Sequence, residues 1–377
     1  LMHYFIFPEI DTTLYQASGS SNAGLDEILE IQKTMSNSGG NINVSRILIK
    51  FDLNEISSSI VNNTISSDRK FYLNMYDAGS EELNTSQSLF AYPISQSWVE
   101  GQGTFSDSPI TTEGASWQYR DGQVQKTAWS GSAGEEQGGA WHVDVYASQS
   151  FKYGSDDMRM DVTPIMDKWL DGTYPNHGFI VKRSGSFENL NVNEDEGSQD
   201  RLGNFKFFSR QTNTIYPPKL EVEWFDTKWS TGSLSALDSN ELEDLQVYLK
   251  NLRPEYKESS KVKFRLCGRG RYPTKSFSNT SSEYLTQKYL PSGSKENIGG
   301  DGVYYSVLDG RTDDVIVPFG SGSLVSCDST GNYFNLWMNG LQAERYYRFC
   351  FRVVSGSNTT EETIQHFDDD FTFKVVR

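Results

Sequence analysis

The side chains that could do chemistry in this chain are few and scattered. Its four histidines, His3, His142, His177 and His366, stand in no HExxH or HxH spacing, so no metal-binding helix or strand is encoded locally. Cys267, Cys327 and Cys350 form no CxxC and have no short spacing to any histidine, which argues against zinc. An odd, sparse cysteine count argues equally against a disulfide framework. Cys350, inside the alternating run Tyr346–Val354, reads as a small buried apolar residue. A GxSxG elbow is absent, and the nearest run, Gly131–Ser132–Ala133–Gly134, lacks the spacing. The 50 Asp and Glu residues offer many accidental carboxylate pairs, so no pair marks a glycosidase. The sequence therefore assigns no catalytic residue, no metal and no cofactor.

Three features could bind rather than react. Trp117, Trp129 and Trp141 stand like posts in a glycine-rich stretch over 101–140, where a loop longer than compact domains usually tolerate is either functional or pinned down. Exposed, the three tryptophans would stack on a ligand; buried, the commoner fate of Trp, they would pin the loop. Arg265, Arg269 and Arg271 in RLCGRGRYP are the one local concentration of positive charge. They suit an acidic face of a neighbouring subunit, since guanidinium groups bind carboxylates in pairs, or they balance the domain's own acids. Asn191, Asn193 and Asp195 alternate oxygen ligands, but Glu196 stands where an EF-hand-type loop needs Gly. That cluster and Asp368–Asp370 read as solvated loops.

The elements that must position these residues are strands. Hydrophobic residues make up 36% of the 377 residues, aromatics 13%, and Gly is plentiful at 32. This is the profile of an all-β protein with long polar loops and an aromatic-rich core. The length predicts two domains. A net charge of −16 leaves no basic patch to neutralise phosphates, so nucleic-acid binding is rejected. The opening LMHYFIFPE is too short and lacks the flanks of a signal peptide, and no run reaches the length of a membrane span.

Within the first domain, alternation predicts strands at Thr12–Gln16, Ile28–Gln32, Ile47–Phe51, Phe71–Asp77, Ala91–Trp98 and Val143–Tyr146, the last with His142 beside it. Asn54–Ile60 reads as a loop or short helix. Val162, Ile165, Met166, Trp169 and Leu170 fall on one helical stripe. Thr163 is placed as the N-cap, Pro164 at the first helical position and Gly172 as the left-handed C-cap. Strands follow at Phe179–Lys182, Phe205–Ser209 and Leu220–Trp224. The reading is a β-sandwich with one helical plug over 1–226, a polar linker over 227–239, and a second sandwich over 240–377. That last segment carries about seven short strands, from Leu245–Leu249 to Phe371–Val376, which fit an immunoglobulin-like sandwich.

The motif order carries a resemblance. SWVEGQGT, ASWQYRDG with Trp129 and its glycine-rich turn, MDVTPIMDKWLDGTYPNHGFIVK and FKFFSRQTNTIYPPKLEVEW resemble the successive motifs of the DNRLRE-domain family over roughly residues 10 to 226. That family is similar to carbohydrate-binding jelly-roll modules, so a jelly-roll first domain is implied. HYFIFPEIDTTLYQASGS at the start, then KFRLCGRGRYPTKSF, YYSVLDGRTDDVIVPF, LVSCDSTGNYFNLWMNGLQAERYYRFCFRV and FTFKVVR resemble virion structural proteins of contractile-tailed bacteriophages of marine bacteria, cyanobacteria among them. The resemblance implies a non-enzymatic tail, baseplate or neck component. It would be assembled in the bacterial cytoplasm, contact other virion proteins and copies of itself, and touch neither membrane nor nucleic acid. The alternative function is a carbohydrate-binding module that recognises host surface polysaccharide through Trp117, Trp129 and Trp141.

Overall fold

A computed structural model describes residues 2–35, 42–62, 64–83, 85–122, 124–130, 137–152, 157–185, 195–198, 200–225, 227–272, 287–293, 300–320, 323–357 and 362–377. The chain is all-β, with short helices, and its strands form sandwiched sheets. It divides into two compact units. The first comprises residues 6–62 and 70–221, and the second comprises 1–5, 63–69 and 222–377. The division thus falls inside a strand at Glu221/Val222, and the second unit recruits two earlier segments of chain. Asp226, the expected end of the first domain, lies outside the described residues.

The chain opens with β1 (Met2–Ile6), followed by β2 (Pro8–Tyr15), β3 (Ile28–Met35), β4 (Ile42–Phe51) and α1 (Asn54–Val61). Next come β5 (Lys70–Met75), β6 (Gln87–Pro93), β7 (Ala147–Phe151), β8 (Met158–Asp161) and α2 (Thr163–Leu170), then β9 (Phe179–Arg183), β10 (Gly203–Phe208) and β11 (Lys219–Trp224). In the first unit the main sheet runs β10-β3-β4-β9-β6-β7, with β2 also laid against β4. All these pairings are antiparallel. β5 pairs with β8 separately. Side chains alternate along each strand. Ile47, Ile49 and Phe51 therefore leave one face of the main sheet, and Arg46 and Leu48 the other. The first set is buried with Phe71, Leu73, Met75, Phe179, Val181, Phe205 and Phe207.

α2 confirms the helical stripe, with Ile165, Met166 and Trp169 buried, but its start differs from the expectation. Val162 is the N-cap, and Thr163 is already helical. The Thr163 hydroxyl instead accepts from the Phe71 N–H (2.9 Å), and Asp161 Oδ1 accepts from the Thr163 N–H (3.0 Å). The oxygen expected to cap the helix ties it to β5, and the aspartate before it satisfies the first free donor. Gly172 takes φ +79, as a left-handed C-cap position requires. Two further expectations fail. β6 ends at Pro93, leaving Trp98 in the loop with its indole N–H on the His177 carbonyl (2.8 Å). Residues 143–146 bend rather than extend, so the strand begins at Ala147.

The second unit adds β12 (Ser235–Ala236), α3 (Ser239–Glu243), β13 (Leu245–Lys250), β14 (Glu255–Lys257), β15 (Lys261–Gly270) and β16 (Lys288–Tyr289). It closes with β17 (Gly302–Asp309), β18 (Val315–Val317), β19 (Ser326–Asp328), β20 (Gly331–Trp337), β21 (Arg345–Ser355) and β22 (Thr363–Val376). One sheet runs β12-β16-β15-β20-β19 with β13 on β15, the other β14-β22-β21-β17-β18. Their facing sides interdigitate through aromatic rings: Phe264 and Phe334 of one sheet meet Tyr305, Phe349, Phe351 and Phe373 of the other at centroid distances of 4.4–6.1 Å. Such edge-to-face and offset contacts add to the area they bury.

Residues 227–239, expected as a connector, are part of this unit. The Cys327 N–H donates to the Lys228 carbonyl (2.9 Å) and the Ser230 N–H to the Cys327 carbonyl (3.0 Å), and β12 pairs with β16. Polar composition misled here because main-chain pairing does not depend on side-chain type.

Candidate functional site

The outer face of the first unit's main sheet gathers the residues singled out as binders. Strand alternation sends Leu14, Arg46, Leu48, Ile180, Lys182, Phe90 and Tyr92 to this side. The glycine-rich stretch folds back over part of it as a layer. The Ile94–Trp141 bridge, Ser95 N–H to the Ala140 carbonyl (2.9 Å) and Gly138 N–H to the Trp117 carbonyl (2.7 Å) close it. Asn22 knots its far end. Its amide donates to the carbonyls of Glu100 (2.7 Å) and Ala115 (2.9 Å), and its Oδ1 accepts from Gly103 (2.8 Å) and Gly24 (3.2 Å). The chains approach so closely that a Cβ on Gly114 (φ +110) would lie 2.4 Å from the Gly101 Cα. The glycines of SWVEGQGT and its neighbours thus serve close packing.

Trp117, Trp129 and Trp141 are each 5% exposed or less and share one cluster with Leu14, Val44, Leu48, Ile94, Trp98 and Ile180. The Trp129 indole N–H donates to the Ser116 carbonyl (2.9 Å). The Arg46 guanidinium lies 4.7 Å from the Trp117 ring and 5.1 Å from Trp141, and the Lys182 ammonium lies 5.2 Å from Trp141. Of the two readings of these tryptophans, a stacking surface and pins for the loop, the contacts match the second. The three rings pin the layer, and their faces are used within the fold.

Beneath them lies a buried charge cluster. Arg46 grips Glu196 through Nη2 (2.5 Å) and Nε (3.2 Å) and donates Nη1 to the Gly138 carbonyl (2.7 Å). Lys182 joins the same carboxylate at 3.3 Å, and all three side chains are 1% exposed or less. Lys33 donates to the Ser198 carbonyl and hydroxyl (both 2.9 Å) and to the Asp195 carbonyl. Its ammonium is driven below the ordinary lysine range mainly by burial. Arg183, which donates to Gln87 and to the Leu202 and Gly203 carbonyls, is lowered to about 10 by burial. Of the calcium-like trio, Asn191 and Asn193 lie outside the described residues, and Asp195 bonds through its main chain. Glu196, noted in the sequence only as the wrong residue for a calcium loop, is the anion on which the cluster is centred.

Beside the Trp layer an aromatic ledge stays open. Phe90 and Tyr92 stack at 6.4 Å with 19° between planes, and Tyr146 lies 5.8 Å from each. Tyr146 is 53% exposed. Registers of Phe90 with Ser148 and Ser88 with Ser150 border these rings with hydroxyls on the same face. Nothing in the sequence reading marked the ledge, although aromatics two apart in QSLFAYP were the available signal. His142, expected in a strand, stacks on Tyr174 instead (3.7 Å, 8°), while the Tyr174 hydroxyl donates to Asp144 (2.6 Å).

A carboxyl group with an acid–base profile also emerges. Asp11, on β2, is 1% exposed and pushed up to about 7 by burial, with Glu100 adding to the rise. Its Oδ2 accepts from the Arg210 N–H (2.7 Å), and its own N–H donates to Glu100 (3.1 Å), whose two oxygens also take Arg210 Nη1 (both 3.0 Å). Sealed from solvent, Asp11 bonds the 209–211 turn and the Trp-layer loop to β2.

In the second unit Arg265 and Arg269 share one parity along β15 and Arg271 lies just past its end, but the three do not form one free patch. Arg265 is locked in a fork on Asp328 (2.6 and 2.8 Å), with Lys263 as a second donor (2.8 Å), and this pairing holds Asp328 far below the usual carboxylate range. Arg269 lies opposite Gln246 on β13, and the Arg271 N–H donates to the Asp244 carbonyl (2.6 Å). Cys350 is half-buried rather than sealed, and burial beside Asp368 pushes its thiol up to about 11. Asp368 pairs with Arg348, which also reaches Asp313 (3.1 Å).

Comparison with protein-family models and with curated proteins finds no match.

Proposed function

We propose that the chain is a non-enzymatic virion structural protein of a contractile-tailed phage, a tail, baseplate or neck component that contacts other virion proteins and further copies of itself. The observation that carries this reading is where the quoted motif blocks sit. They supply Gly101, Gly103 and Ala115 of the knot around Asn22, α2, β15, β17, and the paired β20, β21 and β22, which are frame elements in both units. A sequence signature spent on rigid framework suits a protein whose work is mechanical. Each stable subunit contact would hide about 800 Å² per partner. On the second unit, Arg269 and Arg271 are the cations proposed for such a contact, because Arg265 already holds Asp328. Mass spectrometry and immunogold labelling of purified particles test the proposal. Recovery of the chain with fixed stoichiometry at one place in the tail supports it, and absence from clean particles refutes it.

A second reading is favoured by the Phe90–Tyr92–Tyr146 ledge: recognition of a host surface polysaccharide, whose ring faces would stack on it while Ser88, Ser148 and Ser150 meet hydroxyls. Affinity electrophoresis in host polysaccharide, with Tyr146→Ala as control, decides it. Retardation lost in the variant supports the reading, and equal mobility of both proteins removes it.

A further inference from the structure

Asp11 sits where the far end of the glycine-rich layer meets β2, and three stretches of chain close around it. β4 lays Ile49 opposite it. The 209–211 turn gives its Oδ2 the Arg210 N–H (2.7 Å), and Glu100 of the layer takes its own N–H (3.1 Å). Glu100 in turn holds Arg210 Nη1 on both oxygens (3.0 Å each) and the Gln211 amide (3.2 Å), while its carbonyl takes Asn22 (2.7 Å).

The charges at this junction are unevenly shared. The Arg210 guanidinium is engaged with Glu100, and Lys50 on β4 pairs with Glu9 (2.9 Å). Asp11 Oδ1 is buried with no donor among the described residues. Ionised here, Asp11 would be an anion out of water, facing a second anion and lacking a cation of its own. Such a carboxyl keeps its proton, and burial, with Glu100 adding to it, pushes Asp11 up to about 7. A second acid ties the same segment. The Phe105 N–H donates to both oxygens of Asp26 (3.2 Å each), and the Phe105 ring lies on Tyr15 (4.2 Å). Asp26 is half-buried and faced by Glu30 and Asp107, and burial lifts it to about 6.

We propose that residues 99–107 are a latch closed by acid, shut on β2 and the 209–211 turn while Asp11 carries a proton and released locally as that proton is lost to water. Opening brings Asp11 into water, where it ionises in the ordinary carboxylate range. The ratio of open to closed forms therefore rises from about pH 4 to about pH 7 and levels off above, where both forms are ionised. Asp26 adds to this only below about pH 6, so the slope between pH 6 and 7 belongs to Asp11.

Hydrogen exchange of the full chain, read by mass spectrometry with exchange times scaled to the intrinsic amide rate, tests the latch. Peptides covering residues 99–107 should lose protection about fivefold between pH 6 and 7, while those of β4 and β21 stay level. Asp11→Asn, neutral throughout, should remove that slope. Glu100→Gln takes away the facing anion and should bring the plateau to lower pH, a readout that holds even where Asp11→Asn folds poorly. Level protection of the native protein between pH 6 and 7, the same slope in Asp11→Asn, an unmoved plateau in Glu100→Gln, or a loss spread evenly over the first unit overturns the proposal.

Discussion

The two units are built to one all-β plan but are held by different forces. In the first, the layer over the main sheet rests on buried charge: Glu196 between Arg46 and Lys182, with tryptophan rings across the cations. In the second, the space between sheets is filled by apolar rings, and the forked ion pair of Arg265 with Asp328 sits partly exposed on the outside. Buried pairs tolerate loss of one partner poorly, because the other charge stays behind without water. Aromatic cores lose packing when cut but strand no charge. Alike in fold, the units should therefore fail differently.

The sharpest way to break the contrast is Glu196→Gln, which leaves Arg46 and Lys182 buried without their carboxylate. A loss of about 3–5 kcal/mol is expected, read from urea unfolding by the fluorescence of the first unit's tryptophans. A loss below about 1 kcal/mol, the range of exposed pairs, would mean the cluster is ornamental. Phe349→Ala in the second unit should cost a comparable amount, about 3–5 kcal/mol, but equally at low and high salt.

Titration sharpens the comparison, because the signs oppose. Asp11 has a folded value near 7 against an ordinary value of 3.8, so the folded first unit holds its proton more tightly than the unfolded chain does. Its contribution is fully present below about pH 4 and is lost as pH rises to about 7, at up to about 1.4 kcal/mol per pH unit. Asp11→Asn should flatten that slope in melting curves between pH 4 and 8; an unchanged slope assigns it to other groups. Asp328 is held low by Arg265, so its contribution is present above the unfolded value and disappears as pH falls below it. Asp328→Asn should cost the second unit at most about 1 kcal/mol at neutral pH, since the pair is solvent-screened, and a larger loss would place it on a par with Glu196.

Much of the strand framework was legible. Period-two alternation located β5, β9, β10, β11, β13 and β21 to within a few residues, because one face of each is packed against a core, whereas β22, expected from Phe371, begins at Thr363 and takes in Asp368–Asp370, which had read as a solvated loop. The α2 stripe and the left-handed Gly172 were legible for the same local reason. The 142–146 segment was misread because apolar residues in HVDVY alternate without entering a sheet. Little of the candidate site could be read, since it joins residues far apart in the chain: Arg46 with Glu196, Asp11 with Glu100 and Arg210, Phe90 with Tyr146.

By itself, then, the amino-acid order determined the class of fold, most strand positions, the helix with its glycine stop, and the dependence of both cores on aromatic rings. These follow from backbone sterics and from side-chain periodicity, which act over a few residues. Tertiary structure alone decided that Trp117, Trp129 and Trp141 are pins and that Arg265 is already engaged. It also decided that the 227–239 segment belongs to the second unit and that Asp11 is a buried acid. Burial and pairing depend on what the rest of the chain brings alongside a residue, and spacing along the chain does not carry that information.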